Sequence, residues 1–280
     1  MIRLRGKKKR YSFLIILILL CGLAILLLRK PPEKKPAGPA PRIPEEIETV
    51  KPEKSRKPLS RIAVIIDDVG YEADLLEEYT RFQGKLSFSV LPFLSRSASS
   101  AKILHNKGFE ILLHIPMEPL TYPEANPGEG ALFTSDSKQE VERKITTMLM
   151  ENPYAVGANN HMGSKATQDC DLMGWTMEIL KKKDLFFIDS VTVGTSCAYR
   201  NARVKKVPAA RRDVFLDNED DFDAISLKFE ELKEIAHSRG MAIGIGHIHK
   251  TQTLRVLESQ LPTLEQDGFI LIYASEALLN

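Results

Sequence analysis

Two adjacent carboxylates, Asp67 and Asp68, close the apolar run IAVIIDD and are followed by Val69-Gly70. Side-by-side carboxylates repel, so such a pair is costly unless a cation or a shared proton relieves it. One of them could hold a metal while the other works as a base; an aspartate helix cap ahead of Glu72 is the plainer alternative. Further along, His114 closes EILLH with Glu118 four residues on, and His161 lies in the polar, glycine-flanked GANNHMGS. His247 and His249 form a His-x-His pair in GHIH. Of the two, His247, nearest the strand, is the one expected in a site. Imidazole and carboxylate are both divalent-metal ligands and the usual groups of proton transfer. No Gly-x-Ser-x-Gly elbow, phosphate loop or dinucleotide fingerprint occurs in the sequence.

These residues need a scaffold that gathers them. From Arg61 onward short β-rich runs alternate with helical stretches, and strands are expected at Ile62–Ile66, Leu86–Leu91, Phe109–His114, Ala155–Ala158, Leu185–Ile188, Val214–Leu216, Met241–Ile245 and Phe269–Tyr273. Helices are expected at Glu72–Phe82, Ala98–Lys107, Lys138–Glu151, Asp171–Lys183, Ser226–Arg239 and Thr253–Gln266. IAVII, AIGIG and FILIY lack polar alternation, which fits parallel strands covered on both faces. Eight such strands point to an α/β barrel, with an open doubly wound sheet as the alternative. In either architecture chemistry gathers at the C-terminal ends of the strands. Those ends carry Asp67-Asp68, His114, Asn159-Asn160-His161, Asp189, Asp217, His247 and Glu276. His105 and His237 fall inside amphipathic helices and read as surface residues.

The charge is partitioned along the chain. The net +2 combines 15 Lys/Arg against 5 Asp/Glu in residues 1–60 with 24 against 32 in residues 61–280. An acidic domain argues against nucleic acid as a partner, because neutralising phosphates needs a basic face. Residues 1–10 form a basic tail, and 11–28, YSFLIILILLCGLAILLL, carry no charge over eighteen residues. As a helix this run spans about 27 Å, close to the hydrocarbon thickness of a bilayer. The run ends in Leu-Leu-Leu-Arg-Lys without an Ala-x-Ala site, so an uncleaved anchor is expected. The positive-inside rule puts its N-terminus in the cytoplasm and residues 60–280 outside, at the bacterial cytoplasmic membrane. Residues 29–59 hold eight of the sixteen prolines mixed with Lys and Glu, and read as a semi-extended linker. Cys170 and Cys197 could pair in that compartment or stay free and buried, and neither has zinc-thiolate spacing.

In this order IAVIIDDVGY, SFSVLPF, HIPMEP, NNHMGS, FIDSVT, RDVFLD and GIGH resemble the divergent polysaccharide deacetylase family, a distant branch of the carbohydrate esterase 4 superfamily. The resemblance spans about residues 60–278 and implies an irregular (β/α) barrel, usually of seven strands, which would leave one of the eight runs outside it. It implies a metal-dependent hydrolase, zinc being the expected metal, that removes acetyl groups from N-acetylated polysaccharide such as peptidoglycan. The carried-over roles are Asp67 as base, Asp68 and His114 as metal ligands and His247 as acid. The usual second histidine of the His-x-x-x-His motif is Glu118 here, so Glu118 and His161 compete for the remaining ligand position. Asp189 and Arg212 fall where such enzymes orient the acid or the base. NNHMGS replaces the family's usual Arg-x-Pro-Tyr motif. Two rivals follow: a membrane-tethered, non-catalytic glycan- or protein-binding domain that kept the fold, and a metal-independent glycosidase using the rim carboxylates.

Overall fold

The computed structural model describes residues 59–71 and 75–278. The basic tail, the expected membrane span at 11–28 and nearly all of the linker lie outside the described residues. Among the described residues no helix is long and apolar enough to cross a membrane. Nine strands form there: β1 (Ser60–Val69), β2 (Ser87–Val90), β3 (Glu110–Met117), β4 (Gly157–Met162), β5 (Phe186–Asp189), β6 (Ala209–Arg211), β7 (Val214–Phe215), β8 (Met241–His247) and β9 (Phe269–Ile272). Between them run α1 (Leu76–Tyr79), α2 (Ser97–Asn106), α3 (Lys138–Glu151), α4 (Cys170–Lys182), α5 (Ala198–Lys205), α6 (Phe222–Arg239) and α7 (Thr251–Gln260).

Eight of the strands hydrogen-bond in the order β6-β5-β4-β3-β2-β1-β8-β7, and every pairing is parallel. This is the sequential order of a curled half-barrel. A doubly wound sheet would reverse its strand order midway. Within the sheet the end strands β6 and β7 do not pair with each other, and only Arg212 and Asp213 separate them in sequence. β9 lies off this path and pairs with the first half of β1, from Ser60↔Phe269 to Ala63↔Ile272. One of the eight expected runs therefore does stand outside the barrel. The strand β6 and the helix α5 were not expected. Ala-Ala-Arg has no β-branched or aromatic residue, and α5 buries only Ala198 and Ala202. The expected helix 72–82 is reduced, in its described part, to α1.

Alternation along the strands decides what enters the barrel. In β1, Ile62, Val64 and Ile66 pack outward under the helices, while Ala63 and Ile65 belong to the inner cluster with Leu112, Ile188, Ala210, Ile243 and Ile245. A slip of one residue would exchange the two sets, and burying each large aliphatic side chain stabilises by roughly 1.5–3 kcal/mol. Parity therefore fixes which polar side chains face inward beyond the core. Asp67 follows Ile65, His114 follows Leu112, and His247 follows Ile245. In β4, Ala158 packs outward, so Asn159 and His161 face in.

Candidate metal centre and acid–base groups

Strict alternation would send Asp67 inward and Asp68 outward. The β1–β2 register slips between Ile66 and Val69, and Asp68 takes the left-handed region at φ 66°. That conformation is rare for a residue with a side chain and costs about 1–3 kcal/mol. Here the bulge brings both carboxylates to one histidine. His114 Nε2 lies 3.6 Å from Asp67 Oδ2 and 3.2 Å from Asp68 Oδ1.

Three side chains then converge. Asp68 Oδ1 is 2.9 Å from His161 Nδ1 and 3.2 Å from His114 Nε2, and the two ring nitrogens are 3.2 Å apart. Ligand atoms around a tetrahedral zinc with bonds of ~2.0–2.1 Å stand about 3.3 Å from one another. Asp68 Oδ1 is also buried and accepts no hydrogen bond. Burial alone would raise the Asp68 carboxyl, but the His114 and His161 rings hold it far below the usual carboxylate range. An anionic oxygen without a donor, facing two imidazole nitrogens, fits a divalent cation. Asp68, His114 and His161 could hold one. His114 is sealed at 2% side-chain exposure, while Asp68 and His161 keep 11% and 13%, so the cluster is open on one side.

A carboxylate and an imidazole, groups able to transfer protons, flank the trio. Both oxygens of the buried Asp67 accept from Asn159 Nδ2, at 2.8 and 3.1 Å. At the end of β8, His247 Nδ1 lies 2.8 Å from Asp217 Oδ1. Burial alone would lower the His247 imidazole, yet the hydrogen bond and charge of Asp217, with Asp68 and Asp67 further off, push it up to about 9.

Residues 64–278 match the family model described as divergent polysaccharide deacetylase. The chain belongs to that family. It is 36% identical over 220 residues to the uncharacterized protein YibQ of Escherichia coli strain K12, spanning 79% of this chain and 67% of YibQ. The crystal structure of an uncharacterized protein, ATU2773 of Agrobacterium tumefaciens C58, superposes with a TM-score of 0.74 at 21% identity, covering 80% of this chain and 91% of that one. A structure described as T48 deacetylase with substrate matches at a TM-score of 0.50 and 14% identity, over 78% of this chain and 90% of the other. These two likenesses establish the fold.

In this member of the divergent polysaccharide deacetylase family the geometry separates Glu118 from His161. Glu118 follows the end of β3, and its Oε1 pairs with Lys165 Nζ at 2.8 Å. Its Oε2 accepts from both the backbone N–H and the hydroxyl of Thr134, at 2.9 and 2.8 Å. All of that carboxylate's partners tie loops together, and it is not a member of the trio. His161 occupies the third corner.

Of the two orienting residues expected from the family pattern, Arg212 lies within electrostatic reach of both Asp67 and Asp189. Ile188 points into the barrel, so Asp189 points out, where it accepts from Val191 N, Ser196 Oγ and Tyr199 N at the start of α5. It does not touch His247. Arg212 donates to the carbonyls of Ser190 and Val191 at 2.7 and 2.9 Å and lies over Phe215, with the ring centroid 4.9 Å away. It steadies the β5 loop and the ring that packs on His247. The residue that orients His247 is Asp217. It continues the inward parity of Phe215, a signal present in VFLD. His249 was not expected in the site, but residues two apart on an extended chain share a face, and although β8 ends at His247 the turn keeps the His249 ring beside it, with centroids 5.6 Å apart. His249 Nδ1 consequently comes back to 3.9 Å from Asp68 Oδ2, half-exposed at the mouth.

Glu276 was expected on this rim and lies away from it. β9 pairs only as far as Ala63, four residues short of Asp67, and Glu276 binds Lys85 just before β2. Cys170 and Cys197 are joined in a disulfide between the starts of α4 and α5.

Proposed function

We propose that this protein is a metal-dependent hydrolase that removes acetyl groups from an N-acetylated polysaccharide of the cell envelope, such as peptidoglycan or a related glycan. The observation that carries the reading is the convergence of Asp68 Oδ1, His114 Nε2 and His161 Nδ1 beside the Asn159-held Asp67 carboxylate and one raised imidazole. Asp68, His114 and His161 would hold the cation, with zinc the best match to two imidazoles and a carboxylate. A zinc ion held there would polarise a carbonyl and lower the pKa of water toward ~7.

The chain's own residues supply the proton transfers. Asp67, steadied by Asn159, takes the proton of the attacking water. His247 keeps Nδ1–H on Asp217, which leaves Nε2–H to protonate the departing amine nitrogen. Burial of Asp67 and of His114 excludes bulk water from the inner side of the site. The non-catalytic alternative drew on Glu118 and on NNHMGS replacing the usual motifs. NNHMGS supplies His161 to the trio, and this favours the catalytic reading.

We further propose that residues 11–28 anchor the chain in the cytoplasmic membrane with residues 60–280 outside, at the polymer. The disulfide is in keeping with an oxidising compartment. Acetate release from N-acetylglucosamine oligomers and from peptidoglycan by the zinc-loaded chain tests the activity. Asp67→Asn is expected to lower it by about 10²–10⁴. No release from either substrate, or full release by the variant, contradicts the mechanism. A periplasm-active reporter fused after Asn280 tests the topology, and cytoplasmic reporter activity contradicts it.

A further inference from the structure

Asn159 pairs with His114 in the β3–β4 register, and its side chain is fully buried between two of the reacting groups. A carboxamide has one end that only donates and one that only accepts. Its Nδ2 lies 2.8 and 3.1 Å from the two oxygens of Asp67. A carboxylate only accepts, so the NH₂ end must face Asp67. The opposite end, Oδ1, is 2.7 Å from His114 Nδ1 and can only accept, so that ring nitrogen carries the hydrogen. In the neutral ring the lone pair is then on Nε2, the atom 3.2 Å from both Asp68 Oδ1 and His161 Nδ1.

We propose that Asn159 is a positioning residue that couples the two halves of the site. Its one amide plane sets the His114 tautomer able to bind a cation and fixes the Asp67 carboxylate at the same time. The inference rests on the reading of Asp68, His114 and His161 as a cation site. No other side chain of this shape can do both. Aspartate keeps the acceptor for His114 but faces Asp67 with a second carboxylate, and leucine keeps the volume with neither end.

The experiment combines zinc titration of the full chain in detergent with nitrogen-15 spectra of the His114 ring in zinc-free chain at alkaline pH, where the ring is neutral. The wild type is expected to show Nδ1–H and to bind zinc. Asn159→Leu is expected to lose that tautomer preference and about 10- to 100-fold in zinc affinity, the usual effect of removing such an outer partner. Asn159→Asp is expected to keep both the tautomer and at least wild-type zinc affinity while acetate release falls. An Nε2–H tautomer in the wild type overturns the proposal, as does wild-type zinc affinity in Asn159→Leu. Equal zinc loss in both variants also overturns it, because packing alone would then account for the effect. A wild-type chain with Nδ1–H that binds no zinc overturns the cation reading, and the coupling falls with it.

Discussion

Asp217 grips His247 at two points. Its Oδ1 lies 2.8 Å from the ring Nδ1, and its Oδ2 accepts the backbone N–H of the same histidine at 2.7 Å. Thr253 Oγ1 donates to that second oxygen at 2.7 Å. A carboxylate so fully satisfied stays ionised when buried, and burial's upward push on Asp217 is overcome by these bonds. The pair therefore sets both the orientation and the charge of the proposed acid.

Asp217→Asn should lower the imidazole from about 9 towards its ordinary 6.5, so the alkaline limb of acetate release moves to lower pH. The rate at mildly alkaline pH should fall on the order of 10²-fold. Stability carries the same signature. A histidine raised on folding contributes fully below its unfolded value of 6.5, and that contribution fades as pH rises through about 9. The unfolding free-energy difference between wild type and Asp217→Asn, followed by urea titration of metal-free chain, should shrink across that window. A pH-independent difference would remove the assigned charge coupling.

Glu118→Gln separates Glu118 from the proposed ligands Asp68, His114 and His161. Its partner Lys165 is 46% exposed, and exposed ion pairs are worth about 0–1 kcal/mol. Zinc affinity is expected to stay close to wild type with a small loss of stability. Loss of zinc binding in this variant would return Glu118 to the ligand set.

Much of the site was legible because strand parity and strand ends are sequence properties. Asp67, His114 and His247 continue the inward face of an apolar strand, and His161 takes the inward face of the polar strand β4. Asp189 takes the opposite parity by that same rule. Phe186 and Ile188 face inward, so the next residue cannot. Asp68 could be placed only through a bulge that no local pattern announces. Glu276 depended on a register: β9 pairs with the beginning of β1, and an apolar run such as FILIY does not reveal where along its partner it will lie. Asn159 and Asp217 were visible at the rim, but their partners come from 92 and 30 residues away, so their tasks were not.

Gly246 is small because its neighbours leave no room. A Cβ there would lie 2.9 Å from Thr253 Cγ2 and 3.2 Å from Asp217 Oδ2. Gly246→Ala should therefore displace the two side chains that hold His247 and cost about 1–3 kcal/mol by overpacking. Chemical denaturation measures the cost, and acetate release should fall with it. Unchanged stability and activity would show that α7 yields freely and that the grip on His247 is not built on this glycine.

The most direct test of the central claim is the metal content of the purified full chain, measured by mass spectrometry beside His161→Ala. The variant's fold is verified by circular dichroism. About one zinc per wild-type chain and close to none in the folded variant is the expected result for a site built on Asp68, His114 and His161. Equal metal content in the two proteins, or none in the wild type after growth and purification with added zinc, would contradict it.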